Sequence, residues 1–515
     1  MNRKDSDWEK ELTETPLGWG GFSKKSMREI KERVEQLDKK KRYPRPLAAC
    51  LLILALLASG WLLNDPINGW VRNQEASNQA IPDTWDEEDL ELSVQYWDTN
   101  SFMSDIGQPF VIRHPSVHFE VAENSDIRDI TAYIKWIEDN KPDVLQVPLA
   151  FVEDLANAGI IKPLDDWITK SNYALQDFHQ PVIRTLREAG AGKLYGLAPY
   201  FETSALYYNK TLFDKFGIAT PQSHLSWKEV MQLASRFTGT DTDGKPIYGL
   251  TTDRYTTPFR LLLKIGETEG LRILSSDQLQ PTLNTAAWRN VWETILGGYK
   301  EGFISNENRA STKGNVLMSD LYKADPFLSG RAALAYRTSS YQWDIGQAME
   351  SIGFNDEWGV VTQPINPNQP DLASDFDIST VYAVNTESSH QEAAWSLIQY
   401  IVSPEKAKRD AQNGYAPFSS RSLSSENASI DNADIFYKLE VDSTAILNKA
   451  ELNQLPEYSS FYQGLTEAGN QALESVIKGS SSLEDAMEQL QLQAVQLSAL
   501  MNSISSQAEE SPLNE

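Results

Sequence analysis

Leu92-Ser93-Val94-Gln95-Tyr96-Trp97 alternates apolar and polar residues as a strand with one buried face does, and the period then changes. Between Asp126 and Asp139, Ile127, Ile130, Ile134 and Ile137 recur at helical spacing. Pro142-Asp143-Val144-Leu145-Gln146-Val147 reads as a second short strand, and Ala150 to Ala158 as a helix closed by Gly159. Strand, helix, strand, helix at this spacing predicts parallel strands with crossover helices, an α/β class.

The same grammar returns downstream. Ala205-Leu206-Tyr207-Tyr208 and Thr380-Val381-Tyr382-Ala383-Val384 read as strands, and Ser226 to Phe237, Ala286 to Leu296 and Gln391 to Ile401 as helices. From Asn432 to Asn502 the pattern is mainly helical. Ser503 to Glu515 reads as a polar, disordered tail.

Upstream the chain changes character. Leu47 to Leu63 is almost wholly apolar, and no charge falls between Pro46 and Asn64. At about 1.5 Å per residue this run reaches roughly 25 to 29 Å, the short end of what spans a bilayer core. Lys39, Lys40, Lys41, Arg42 and Arg45 precede it and Asp65 follows, so the positive-inside rule places the N-terminus in the cytoplasm and residues 65–515 outside. A buried core helix rarely carries five basic residues against one end. A cleaved secretory signal competes, because Ala58-Ser59-Gly60 are small, but the long segment ahead of the run favours an anchor. Within that segment, Lys24 to Lys41 forms an amphipathic helix pattern through Met27, Ile30, Val34 and Leu37, suited to a cytoplasmic partner or to anionic headgroups. Residues 66–90, dominated by Asn, Gln, Asp and Glu, read as a stalk.

Charge and cysteine usage narrow the chemistry. The formal net charge is −26; residues 1–46 hold 13 Lys+Arg against 9 Asp+Glu, which leaves −30 (33 basic against 63 acidic) for the remainder. Such a polyanionic body argues against nucleic-acid binding. A single cysteine, Cys50, excludes an intramolecular disulfide and a thiolate metal cluster. Of the five histidines only His114 and His118 are close in sequence, and Pro115 between them opposes a shared helical face, so no metal site is expected. No phosphate-cradling glycine loop and no nucleophile elbow occurs. The 14 Trp and 20 Tyr against 18 Phe, several beside small polar residues, suit sugars, whose C–H faces stack on rings and whose hydroxyls need planar polar partners.

Motifs in a fixed order carry a resemblance. They are Val94-Gln95-Tyr96-Trp97-Asp98, Pro142-Asp143-Val144, Gly159-Ile160-Ile161-Lys162-Pro163-Leu164-Asp165, and Gly192-Lys193-Leu194-Tyr195-Gly196-Leu197-Ala198-Pro199 followed by Leu206-Tyr207-Tyr208-Asn209-Lys210-Thr211-Leu212-Phe213 and Gly217. Ser226-Trp227-Lys228-Glu229, Phe327 to Leu334, Ala393-Ala394-Trp395 and Ser403-Pro404-Glu405 follow. From Leu92 to about Leu500 the chain resembles the family 1 extracellular solute-binding proteins that serve ABC importers, including the maltodextrin-binding type.

The resemblance implies a two-lobed periplasmic-binding-protein-like α/β fold with an interlobe cleft. Residues 91–203 with 380–440 would form one lobe and 204–379 with 441–502 the other, after a cytoplasmic segment 1–45, an anchor 46–64 and a stalk 65–90, with 503–515 as the tail. It also implies cleft residues: Trp97, Asp98 and Asn100 at the end of the first strand, Tyr200 and Glu202 before Asn209, Tyr341 and Trp343 after Leu334 to Arg337, and Asp375 and Phe376 at the second crossing. Where the maltodextrin type places a stacking tryptophan and a polar pair, this chain has Val147, Leu149 and Ala150. These departures count against a maltodextrin, and the expected ligand is a carbohydrate-like solute, a sugar or an oligosaccharide.

The leading expectation is a membrane-tethered, non-enzymatic receptor, without cofactor, that passes a sugar or oligosaccharide to ABC permease subunits. Two rivals accompany it. One is a sensor that signals occupancy to a cytoplasmic partner of residues 1–45; the other is a carbohydrate-active enzyme on a similar scaffold.

Overall fold

The computed structural model describes residues 89–510 apart from 125–126, 276–278, 308–315, 414–417 and 422–432. The segments read as cytoplasmic, membrane-spanning and, up to residue 88, stalk-forming thus lie outside the described residues. No described helix is long and apolar enough to cross a membrane.

In chain order the strands are β1 (Leu90–Tyr96), β2 (Val117–Glu123), β3 (Val144–Val147), β4 (Gly196–Leu197), β5 (Tyr200–Asn209), β6 (Gly239–Thr240), β7 (Pro246–Thr252), β8 (Ala332–Thr338), β9 (Trp358–Thr362), β10 (Leu372–Ala373), β11 (Phe376–Asp377), β12 (Val381–Val384), β13 (Phe418–Ser419) and β14 (Glu440–Val441). The first sheet has the order β2-β1-β3-β12-β4. Its β1, β2 and β3 run parallel, whereas β12 returns antiparallel between β3 and β4. Both faces are covered, so Leu92, Val94, Val144, Leu145 and Val147 are fully buried with the helices Gln180–Ala189 and Gln391–Ile401.

The second sheet orders β11-β5-β8-β7-β6, with β9 and β13 also on β5. β7 and β8 are parallel, and β5 runs against β8 and β9. Alternation splits β5 between two cores: Leu206 packs with the helices Trp227–Ala234, Pro258–Thr268, Ala286–Lys300 and Pro456–Ile477, while Ala205 and Tyr207 pack with Phe327, Tyr341 and Ile345. Ser226 opens its helix with a reciprocal capping box to Glu229. Gly469 is glycine because a Cβ there would lie 2.3 Å from the Phe259 ring, so the Pro456–Ile477 and Pro258–Thr268 helices meet at van der Waals closeness.

Several expected boundaries move. The helix read from Asp126 starts at Ile130, capped by Asp129, whose side chain accepts from the Ala132 N–H. The helix read from Ala150 begins as a 3₁₀ turn, Leu149–Phe151, and continues as Val152–Asn157. The polar stretch read as a tail from Ser503 is helical as far as Glu510, continuing the Leu483–Glu510 helix. Ser, Gln and Glu are acceptable on an exposed helix, so their polarity alone does not end one. The Ser443–Gln454 helix, read as second-lobe, puts Ile446 into the first core with Leu447 and Ala450 against it.

Candidate functional site

Ligands of open α/β sheets collect outside the carboxyl ends of the parallel strands. In the first lobe β1 ends at Tyr96 and delivers Trp97; in the second, β7 ends at Thr252 and delivers Asp253-Arg254-Tyr255, and β8 ends at Thr338. The polypeptide passes between the lobes through β5, through β11 and again near Leu455, where the first-core helix Ser443–Gln454 gives way to the second-core helix Pro456–Ile477. The two carboxyl edges and the crossing strands define the candidate site.

At the first edge Trp97 is 52% exposed, its ring stacked on buried Tyr96 with centroids 3.8 Å apart and planes at 29°. A large ring held flat and left open to water is a surface prepared for an apolar face. Asp98 has a structural duty: it caps the turn Thr99–Phe102, accepting the Ser101 N–H at 2.9 Å, and the Ser101 side chain first and this N–H second lower its carboxyl below the ordinary range. Asn100 is exposed on that turn, and Glu123 at the end of β2 accepts both the N–H and the hydroxyl of Thr99.

The crossing strands carry the charge. Thr203 and Phe376 are antiparallel partners, as are Glu202 and Asp377, so Glu202 and Asp377 project from one face of the ribbon. Asp375, two residues back on that face, accepts hydrogen bonds from Ser204 Oγ at 2.6 Å, Tyr336 OH at 3.1 Å and Lys264 Nζ at 2.6 Å. Burial alone would raise the Asp375 carboxyl, but Lys264 and Lys449, with the bonds from Lys264 and Ser204, hold it below the usual carboxylate range. Glu202 moves the other way: burial first, then Asp375 and Asp377, raise it against the opposing Thr338 hydroxyl and Lys264. Asp377 is likewise raised, by burial and by Asp375, against Lys449. Glu202 is nevertheless open enough to solvent to accept hydrogen bonds from a solute.

Other expected residues lie elsewhere. Tyr200 is half-buried, and its hydroxyl donates to Asp410 and accepts from Lys406 Nζ at 3.1 Å. That network also ties Lys406 to Asp105 and anchors the Pro404–Asn413 helix, so the hydroxyl is engaged within the first lobe. Tyr341 is a core ring, 5% exposed, set edge-on to Tyr207 and under the Arg337 guanidinium. Phe376 is also core, stacked on Phe201 at 5.0 Å. Phe376 lies on β11, whose alternation turns it inward, whereas Tyr341 opens the Tyr341–Ser351 helix on the face that helix packs into the core. Trp343 is half-buried on the Tyr341–Ser351 helix.

Sequence reasoning passed over Asp377 and Tyr255. The period-two pair Asp375 and Asp377 could have signalled one shared face. Tyr255 is 69% exposed directly after β7, where the turn-forming Asp253 accepts the N–H groups of Tyr255 and Thr256. Among the described residues no group of three or more His, Cys, Asp and Glu could hold a metal ion.

Residues 115–408 match the family model described as bacterial extracellular solute-binding protein. Among solved structures, the chain is similar to a sugar transporter from Rhizobium etli in an open conformation, at 19% identity over 79% of this chain and 99% of that one, with a TM-score of 0.53. It is also similar to the sugar-binding protein MalE of Xanthomonas citri, at 16% identity over 82% and 100% with a TM-score of 0.53. A family 1 extracellular solute-binding protein from Alicyclobacillus acidocaldarius gives 13% identity over 80% and 99% with a TM-score of 0.56. At these identities the likeness speaks to fold, and the fold is the mixed α/β two-lobed type.

Proposed function

We propose that this chain, which belongs to the bacterial extracellular solute-binding proteins, captures a carbohydrate-like solute between its lobes and passes it to an ABC importer. The observation that carries the reading is the position of Glu202, a solvent-accessible carboxylate on a strand joining the lobes, together with the open ring of Trp97 at the first-lobe edge. A carboxylate can accept hydrogen bonds from two adjacent hydroxyls while a ring covers the apolar face of the same sugar. Sugars or polyols are the class this pairing suits.

The apolar run 47–63 with its basic flank supports an uncleaved signal-anchor, which would hold the binding lobes outside the cell membrane with the N-terminus inside. A thermal-shift screen of the full chain against neutral sugars, polyols and oligosaccharides tests the reading, because a solute that binds only the folded state raises the melting temperature. A hit whose effect survives Glu202→Ala and Trp97→Ala together would place the solute elsewhere. A screen in which amino acids or peptides, and no sugars, stabilise the chain would overturn the solute class.

A further inference from the structure

One face of the Pro258–Thr268 helix makes three bonds that leave its own core. Lys264 Nζ bonds to Asp375 Oδ2 at 2.6 Å, Thr268 Oγ1 lies 2.9 Å from Ser374 Oγ, and Glu267 Oε1 accepts from Lys449 Nζ at 2.8 Å. Positions 264, 267 and 268 are neighbours on a helix surface, so this is one continuous gripping face. The helix behind it is firmly second-lobe: Phe259, Leu261, Leu262 and Ile265 are buried in the second core, and Asn470 Oδ1 accepts the Phe259 N–H.

Lys449 stands on the other lobe. Its helix, Ser443–Gln454, is fixed to the Gln180–Ala189 helix of the first lobe: Ser443 Oγ lies 2.9 Å from Thr185 Oγ1, and Thr444 Oγ1 donates to Glu188 at 2.5 Å. The Lys264 and Thr268 bonds hold the crossing segment itself, whereas the Lys449–Glu267 ion pair spans from lobe to lobe beside it. Asp375 and Asp377 on the crossing strand also attract Lys449, and Lys264 opposes it.

We propose that the Lys449–Glu267 pair is an interlobe latch, a positioning pair that biases the lobes toward the arrangement in which it is made and so tunes solute affinity without touching solute. Hinged domains move by changes at a few crossing residues, and a bond between the lobes next to those residues forms in one arrangement and is lost in another. Lys449 and Glu267 side chains are 43% and 41% exposed, which limits the bias. A roughly two- to fivefold change in the ratio of lobe arrangements is the scale expected of such a pair.

The test needs no solute. In the full chain carrying Cys50→Ser, nitroxides are placed at Glu138→Cys on the first lobe and Glu350→Cys on the second, both exposed, and interlobe distances are measured by pulsed electron spin resonance. Lys449→Met should redistribute the distances by that two- to fivefold factor, Lys449→Arg should keep the parent distribution, and Glu267→Gln should reproduce Lys449→Met. The double variant should go no further than either single one, because only one bond is there to lose. Each variant should melt within a few degrees of the parent. A Lys449→Met distribution that superimposes on the parent's overturns the latch, as do single effects that add in the double variant. A variant that fails to fold is replaced by its partner, Glu267→Gln for Lys449→Met, and the same two outcomes decide.

Discussion

Glu202 and Asp377 stand directly opposite one another in antiparallel register on two strands that join the lobes. Burial is the largest influence and raises both carboxyls, with Asp375 and Asp377 adding to it at Glu202 and Asp375 at Asp377, so both take up a proton more readily than ordinary carboxyls do. If solute is held beside this pair, as proposed above, its binding should be sensitive to pH.

Solute affinity should be full at neutral pH and fall as pH drops through the raised Glu202 value, because a protonated carboxyl loses one acceptor and the charge that strengthens the other. Asp377→Asn removes the opposing charge and should move the fall to lower pH. Calorimetric titration from about pH 7 to about pH 4 checks both; a Glu202→Gln variant should show the weakest pH dependence.

Glu202→Ala should weaken solute binding roughly ten- to hundredfold, since a hydrogen bond to a charged group contributes about 1.5 to 3 kcal/mol. Trp97→Ala should cost a similar factor through lost stacking. Neither should shift the solute-free melting temperature by more than a few degrees, because both side chains are open to water. Titration alongside melting curves separates lost binding from lost folding.

His179 packs against Phe201, Phe376 and Tyr437 with only 6% of its surface exposed. Burial is the largest influence on its imidazole and, with Arg184 adding to it against Glu440, lowers the pKa from 6.5 to about 4. The unfolded chain therefore takes up this proton first, and stability should decline as pH falls from about 6.5 to about 4, by up to about 3 kcal/mol from this group. His179→Phe should flatten that decline in urea denaturation at the two pH values.

Lys264→Met leaves the Asp375 carboxylate with Ser204 and Tyr336 but without its nearest cation, and should destabilise the chain by about 2 kcal/mol. Asp375→Asn added to Lys264→Met should recover part of the loss. Urea midpoints of the parent, Lys264→Met, Asp375→Asn and the double variant form the cycle.

Protease applied to intact protoplasts should remove the chain beyond about residue 77 and spare the N-terminal segment, if the anchor stays uncleaved. Recovery of a soluble form starting near Trp61 would show a processed signal instead.

What the sequence made legible was whatever has a local period. Val94 and Tyr96 face inward because alternation says so, and Gln391–Ile401 has the same limits in pattern and in structure. The resemblance implies Trp97 at the cleft, and what the structure adds is that its ring is exposed at the end of the first strand. The opposition of Glu202 and Asp377 could not, because it depends on the register of two segments far apart in the chain. Tyr341 and Phe376 misled for the related reason that aromatic type says nothing about which face a ring occupies. The grip of Lys264, Glu267 and Thr268 was invisible because polar residues on a helix read as a solvated face.

The place of β12 in the first sheet bears on how the protein is made. Val381–Val384 lies between β3 and β4, so during synthesis the early strands wait, with an unpaired edge at Val144–Val147, until the stretch from Tyr200 to Thr362 that holds most of the second sheet has emerged. A ribosome-bound or half-exported chain ending before Val381 would present that edge to any neighbouring strand. The two lobes would finish late and in turn, the first sheet closing only with Val381–Val384 and the second core only with the Pro456–Ile477 and Leu483–Glu510 helices.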